Sequence, residues 1–181
     1  DDARYRALGS RALKIPYDVF KWVETTTNKS TVAALALSTS ANGYVREAAV
    51  QQINTIPGPF SLALVVNRLN DWVPNVRQAA EARLQLLSAE IDPALVVGCI
   101  EYLWQFDEFG RASSIGRKIV DDLIGGDAIK ATLRELVLAE SGDRSVRLVQ
   151  QLLRSPDLDD LLITIATRHK HPRVRSIAAK T

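Results

Sequence analysis

Four Val-Arg pairs recur along the chain, at Val45-Arg46, Val76-Arg77, Val146-Arg147 and Val174-Arg175, and their spacing constrains the fold more than any other feature. The steps between them are 31, 70 and 28 residues. A step of 70 is two periods of roughly 35, so a degenerate fifth unit is predicted inside it. Ile115 is the expected anchor of that unit, with Gly116 where the arginine should stand.

The neighbouring positions keep the same register. Asn42 and Asp143 stand three residues before their anchors as helix-capping residues, and Pro74 and Pro172 stand two before, where the missing proline N–H costs a first helical turn nothing. Small or apolar residues follow at three and four positions after the anchor, as in Ala48-Ala49 and Ala79-Ala80, and apolar residues such as Ile53 and Leu84 at eight. Offsets of 0, 4 and 8 trace one face of a helix.

A second helical stretch precedes each anchor. The expected spans are 30–39, 59–70, 93–106, 127–140 and 156–168, with Asp92-Pro93 and Ser155-Pro156 as start signals and Pro57-Gly58-Pro59, Gly125-Gly126 and Ser141-Gly142 as breaks. No segment alternates with a period of two. The chain is predicted to be all-α: five helix pairs over 30–54, 59–89, 92–124, 127–154 and 156–181, preceded by a helical segment within 1–28 (4–13 and 17–24) that packs as a cap.

The stretch Asp71-Trp72-Val73-Pro74-Asn75-Val76-Arg77-Gln78-Ala79-Ala80 resembles the second-helix signature of a HEAT repeat, an acidic turn residue and proline before Val-Arg and paired alanines. Residues 42–49 and 171–178 are similar, 143–147 match at the turn and Val-Arg, and 1–28 match nothing. The resemblance implies a right-handed α-solenoid in which helix pairs stack and share one core. It also implies that Val45, Arg46, Asp71, Val76, Arg77, Val146, Arg147, Val174 and Arg175 belong to the repeat scaffold, the arginines pairing with turn acids or carbonyls.

Composition bounds the function. The 181 residues carry 23 Lys and Arg against 21 Asp and Glu, a formal charge of +2. Sorted by helix class, the second helices (43–54, 74–89, 111–124, 143–154 and 172–180) hold twelve basic residues against five acids, and the first helices, with Asp92 counted at the start of the third, four against eight. The second-helix face is therefore expected to be basic. After the scaffold arginines are set aside, Arg117, Arg144, Arg154, Arg173 and Lys180 are the candidate partner contacts, with Trp72 as an aromatic anchor in a turn. A protein partner, with an acidic segment, is the leading expectation. The alternative is a nucleic acid on the basic face, including a reading similar to the alkylpurine DNA glycosylases of this architecture; bilin lyases carry such repeats too.

Catalytic material is thin. His169 and His171 flank Lys170 in a turn and are expected to be solvated; Cys99 lies in an apolar run as a small buried residue; Asp157, Asp159 and Asp160 suit the positive end of a helix. Ser10, Ser113 and Ser114 have no recognisable His and acid partners, and Gly125-Gly126-Asp127 lacks the rest of a phosphate loop. No cofactor or metal is expected. One cysteine makes no internal disulfide, and no run approaches the roughly 18 apolar residues of a membrane span, so a cytoplasmic chain without a membrane partner is expected. The absence of methionine and the opening Asp1-Asp2 suggest a piece of a longer array.

Overall fold

A computed structural model describes residues 17–27, 30–153 and 159–180, which contain twelve α-helices and no strand. They are α1 (Tyr17–Thr27), α2 (Thr31–Leu37), α3 (Gly43–Gln51), α4 (Pro59–Arg68), α5 (Pro74–Leu87), α6 (Pro93–Gly98), α7 (Ile100–Leu103), α8 (Ser114–Gly125), α9 (Asp127–Ala139), α10 (Asp143–Leu152), α11 (Asp159–Arg168) and α12 (Pro172–Ala178). The expected stretch 4–13 and the Ser155-Pro156 start signal lie outside the described residues.

The starts follow the local chemistry. Asn42 Oδ1 accepts the Tyr44 N–H at 3.0 Å, Asp92 Oδ1 that of Ala94 at 2.8 Å and Ser113 Oγ that of Gly116 at 2.9 Å, each occupying a donor the first turn leaves over. Proline opens α4, α5, α6 and α12. Asp143 falls within the first turn of α10 rather than before it, because Gly142 takes the preceding position at φ +115°, a conformation that favours glycine.

The helices contact in two rows. The first helices touch in succession, α2 with α4, α4 with α6, α6 with α9 and α9 with α11; the second helices α3 with α5, α5 with α8, and α10 with α12. Within pairs, α2 meets α3, α4 meets α5, α7 meets α8, α9 meets α10 and α11 meets α12. One apolar cluster runs through these contacts from Ala34 to Ala178, and a smaller one of Val23, Val45, Ala48 and Ala49 ties α1 to the first pair. A helix with one apolar stripe buries it only against neighbours, which is why the core continues from pair to pair.

Two expectations are corrected. The stretch 93–106 is not one helix: it breaks at Cys99, whose φ −115° and ψ 16° leave the helical region, and short α7 follows. The break accompanies a close approach, because a Cβ on Gly98 would stand 2.5 Å from Pro59 Cγ at the start of α4. The degenerate anchor is also displaced by one residue. Ile115 is 53% exposed, whereas Gly116 is buried three positions after the cap Ser113, as Val76 is after Val73 and Val174 after His171. Gly116-Arg117 is therefore the counterpart of Val-Arg, and this unit keeps its arginine.

Candidate functional site

The polar centre of the chain is built where the turn between α4 and α5 meets the turn between α2 and α3. Asp71 stands in the middle of the former turn and is 6% exposed; Arg46, on α3, is 3% exposed. Their side chains meet fork to fork, Arg46 Nε donating to Oδ2 and Nη2 to Oδ1, both at 2.9 Å. Arg68, in the last turn of α4, donates through Nη1 to the same Oδ2 at 3.1 Å and to the Ser38 carbonyl at 3.2 Å. The backbone N–H of Val73 completes the set, donating to Oδ1 at 2.9 Å. One buried carboxylate thus serves two guanidiniums and its own turn, so both lone-pair directions of each oxygen find use.

The arginines also hold the turn backbones. Arg46 Nη1 donates to the carbonyls of Ser40 and Ala41 at 2.8 and 3.0 Å, Arg77 Nη1 to that of Asp71 at 2.7 Å, and Arg175 Nη1 to those of His169 and Lys170 at 2.6 and 3.2 Å. In each case the acceptor lies six or five residues back. Arg117 reaches the Phe109 carbonyl at 2.7 Å across a longer turn. Arg83 caps the end of α3 through the Gln51 carbonyl. Carbonyls freed at a helix end need donors, and the planar five-donor guanidinium supplies several from one residue.

His169 occupies in the last turn the place Asp71 holds in the second. It is 1% exposed, which corrects the expectation of a solvated histidine. Its Nδ1 accepts the His171 N–H at 3.0 Å, and Nε2 lies 2.9 Å from the Val137 carbonyl and 3.1 Å from that of Glu140. The tautomer that satisfies all three carries its proton on Nε2. Sequence spacing carried the clue: His169 stands six residues before Arg175, as Asp71 does before Arg77.

The remaining candidates distribute as follows. Arg144 on α10 pairs at 2.8 Å with Glu140, across the turn that follows α9, and exposed Arg147 with Glu101 at 3.3 Å. Arg154 lies outside the described residues. Arg173 and Lys180 are exposed on and just beyond α12, with no ion-pair partner among the described residues. Val45, Val76, Val146 and Val174 are buried in the core. Trp72 is 40% exposed, with the Arg46 guanidinium 5.4 Å from its ring centroid, a cation–π contact at the mouth of the Asp71 cluster. Cys99 is buried, and burial pushes its thiol up to about 11, away from any nucleophilic role. Burial also lowers the pKa of Arg68, with the neighbouring Arg46 charge adding to the effect and Asp71 opposing it.

Two concavities flank these residues. A polar pocket of 300 Å³ opens beside the Asp71 cluster, lined by Arg46, Arg68, Arg111, Asn67, Asn70 and Trp72 among others. An apolar groove of 780 Å³ runs between the end of α5 and helices α6, α8 and α9, with Val96, Ile119, Leu123 and Ile129 in its walls and exposed Ile115 beside Lys118. Groups of three or more His, Cys, Asp or Glu placed to hold a metal are absent among the described residues, and no described helix is long and apolar enough to cross a membrane. Comparison with protein-family models, curated proteins and solved structures gives no match to this chain.

Proposed function

We propose that the chain is a HEAT-like, right-handed α-solenoid acting as a non-catalytic protein-interaction scaffold within a larger cytoplasmic protein. The observation that carries this reading is the repeated contact pattern, first helix on first helix and second on second, closed at three turns by an arginine reaching five or six residues back. Such a stack offers an extended surface whose composition varies while its turns stay fixed. Its partner carries an acidic segment, matched to the basic bias of the second helices. Solution scattering tests the shape: a stacked array gives a radius of gyration clearly above the roughly 16 Å of a globular chain of this length.

Exposed Arg168, Lys170, Arg173 and Lys180, gathered within 13 residues, favour nucleic acid as the second reading. Fluorescence anisotropy with a labelled Glu-rich peptide and a labelled DNA duplex, across a salt series, separates the two. Peptide binding with weak duplex binding is the expected result. Duplex binding that falls by orders of magnitude between low and moderate salt replaces the scaffold reading with the second one, and binding of neither removes both.

A further inference from the structure

Positive charge is in excess at one buried point of this molecule. Arg46 and Arg68 share the single carboxylate of Asp71, and a third cation, Arg111, lines the same 300 Å³ pocket from its rim. Arg46 is committed through all three of its nitrogens. Arg68 is not: both of its hydrogen bonds leave from Nη1, and its buried Nε finds no acceptor among the described residues. Arg111 has an exposed side chain, while its backbone N–H is fixed at 2.9 Å by Asn70 Oδ1. A desolvated guanidinium without full compensation is costly, and an anion entering the pocket offsets that cost.

The walls indicate what kind of anion. Asp71 also lines the pocket, but its two oxygens are taken up by four donors; Asn67, Asn70 and Ser40 supply uncharged donors, and Trp72 supplies an apolar surface on which methylenes can lie. A nucleic-acid backbone needs a row of free cations at phosphate intervals. Along these turns the adjacent arginines are occupied, Arg77 by the Asp71 carbonyl and Arg117 by that of Phe109. The charge is a point, which suits one acidic side chain.

We infer that the pocket bounded by Arg46, Arg68, Arg111 and Trp72 is a carboxylate subsite that receives a single Glu or Asp side chain of a polypeptide partner. The inference rests on the scaffold reading for the partner's class, and on the pocket alone for its chemistry. Arg111 swings onto the carboxylate from the rim, Arg68 contributes charge from beneath, and the Trp72 ring covers the side-chain stem.

The test is a two-dimensional amide NMR titration of the whole chain with hexaglutamate at low salt. The expected result is saturable shifts at Ser40, Ala41, Arg111 and the Trp72 indole, an affinity about fivefold weaker in Arg111→Ala, and no change in Arg134→Ala, an exposed arginine of α9. Arg111 is exposed, so its replacement leaves the fold intact, which the spectrum itself reports. Binding that is insensitive to Arg111→Ala but lost in Arg173→Ala overturns the subsite and leaves the scaffold reading standing. No shifts at the pocket residues overturn the subsite whatever the Glu-rich peptide does in the anisotropy assay. Inorganic phosphate shifting those residues where hexaglutamate does not overturns the carboxylate assignment.

Discussion

Asp71→Asn is the sharpest probe of how this chain is held together. The replacement keeps size and shape, and its remaining oxygen still accepts the Val73 N–H. Its amide nitrogen, however, is then set against Arg46 Nε and Arg68 Nη1, donor facing donor, where Oδ2 accepted from both at 2.9 and 3.1 Å. Both guanidiniums stay buried with their charge uncompensated. Removing one partner of a buried ion pair costs about 3–5 kcal/mol. For a chain of this size, at about 2–4 °C per kcal/mol, the midpoint of thermal unfolding falls by roughly 6–20 °C. Urea unfolding followed by far-ultraviolet circular dichroism gives the free energy directly. The comparison is Glu140→Gln, which breaks a pair whose side chains are 28% and 40% exposed and should cost less than about 1 kcal/mol. A double-variant cycle of Arg46→Ala with Asp71→Ala should be non-additive by about 1 kcal/mol or more. If Asp71→Asn costs no more than Glu140→Gln, the cluster is solvated and the argument from burial fails.

Other outcomes follow from single sites. Gly98→Ala should lower the urea midpoint by the equivalent of about 1–2 kcal/mol, because its Cβ meets the Pro59 ring at 2.5 Å and overpacking outweighs the gain in helix propensity; an unchanged or raised midpoint would mean the contact relaxes freely. Cys99, with its thiol near 11, should react with iodoacetamide at mildly alkaline pH at least about a hundredfold more slowly in the native chain than in urea. Equal rates would refute both the burial and the raised pKa. The pKa of Glu47 is raised by burial, against a partly opposing hydrogen bond from Asn75, so its contribution is fully present below the ordinary value of 4.5 and is lost as pH rises through the higher folded value. Glu47→Gln should therefore be the more stable form at neutral pH and should flatten that decline. Urea midpoints from pH 4 to 7 check the sign.

Features governed by neighbours in sequence were legible there. Asp92-Pro93 and Pro74 fix helix starts through donors within three residues, and they do so in the structure. Features set across pairs were not. The break after Gly98 answers to Pro59, 39 residues earlier, and the apolar run Leu95–Ile100 reads as uninterrupted helix until that contact is known. In Ser113-Ser114 either serine can cap, and taking the anchor as Ile115 hid the arginine of the middle unit; burial of Gly116 resolves it. The second helices carry the larger formal positive charge, yet Arg46, Arg77, Arg83, Arg117 and Arg175 turn their donors to backbone carbonyls. A guanidinium occupied in this way contributes less to an outward-facing field than its formal charge suggests. The excess at Arg46, Arg68 and Arg111 depended on three elements meeting and was invisible along the chain.

Asp71 and His169 both reach backward along the chain. Asp71 belongs to the second unit and neutralises an arginine of the first; His169 belongs to the last and meets carbonyls at the end of α9, in the unit before. At both places the later unit completes the earlier one. Truncation at such a boundary therefore takes polar partners from what is left behind: losing Asp71 leaves Arg46 without its carboxylate, and losing His169 leaves the Val137 and Glu140 carbonyls to water. Hydrogen exchange would register the loss as reduced protection in the preceding turn.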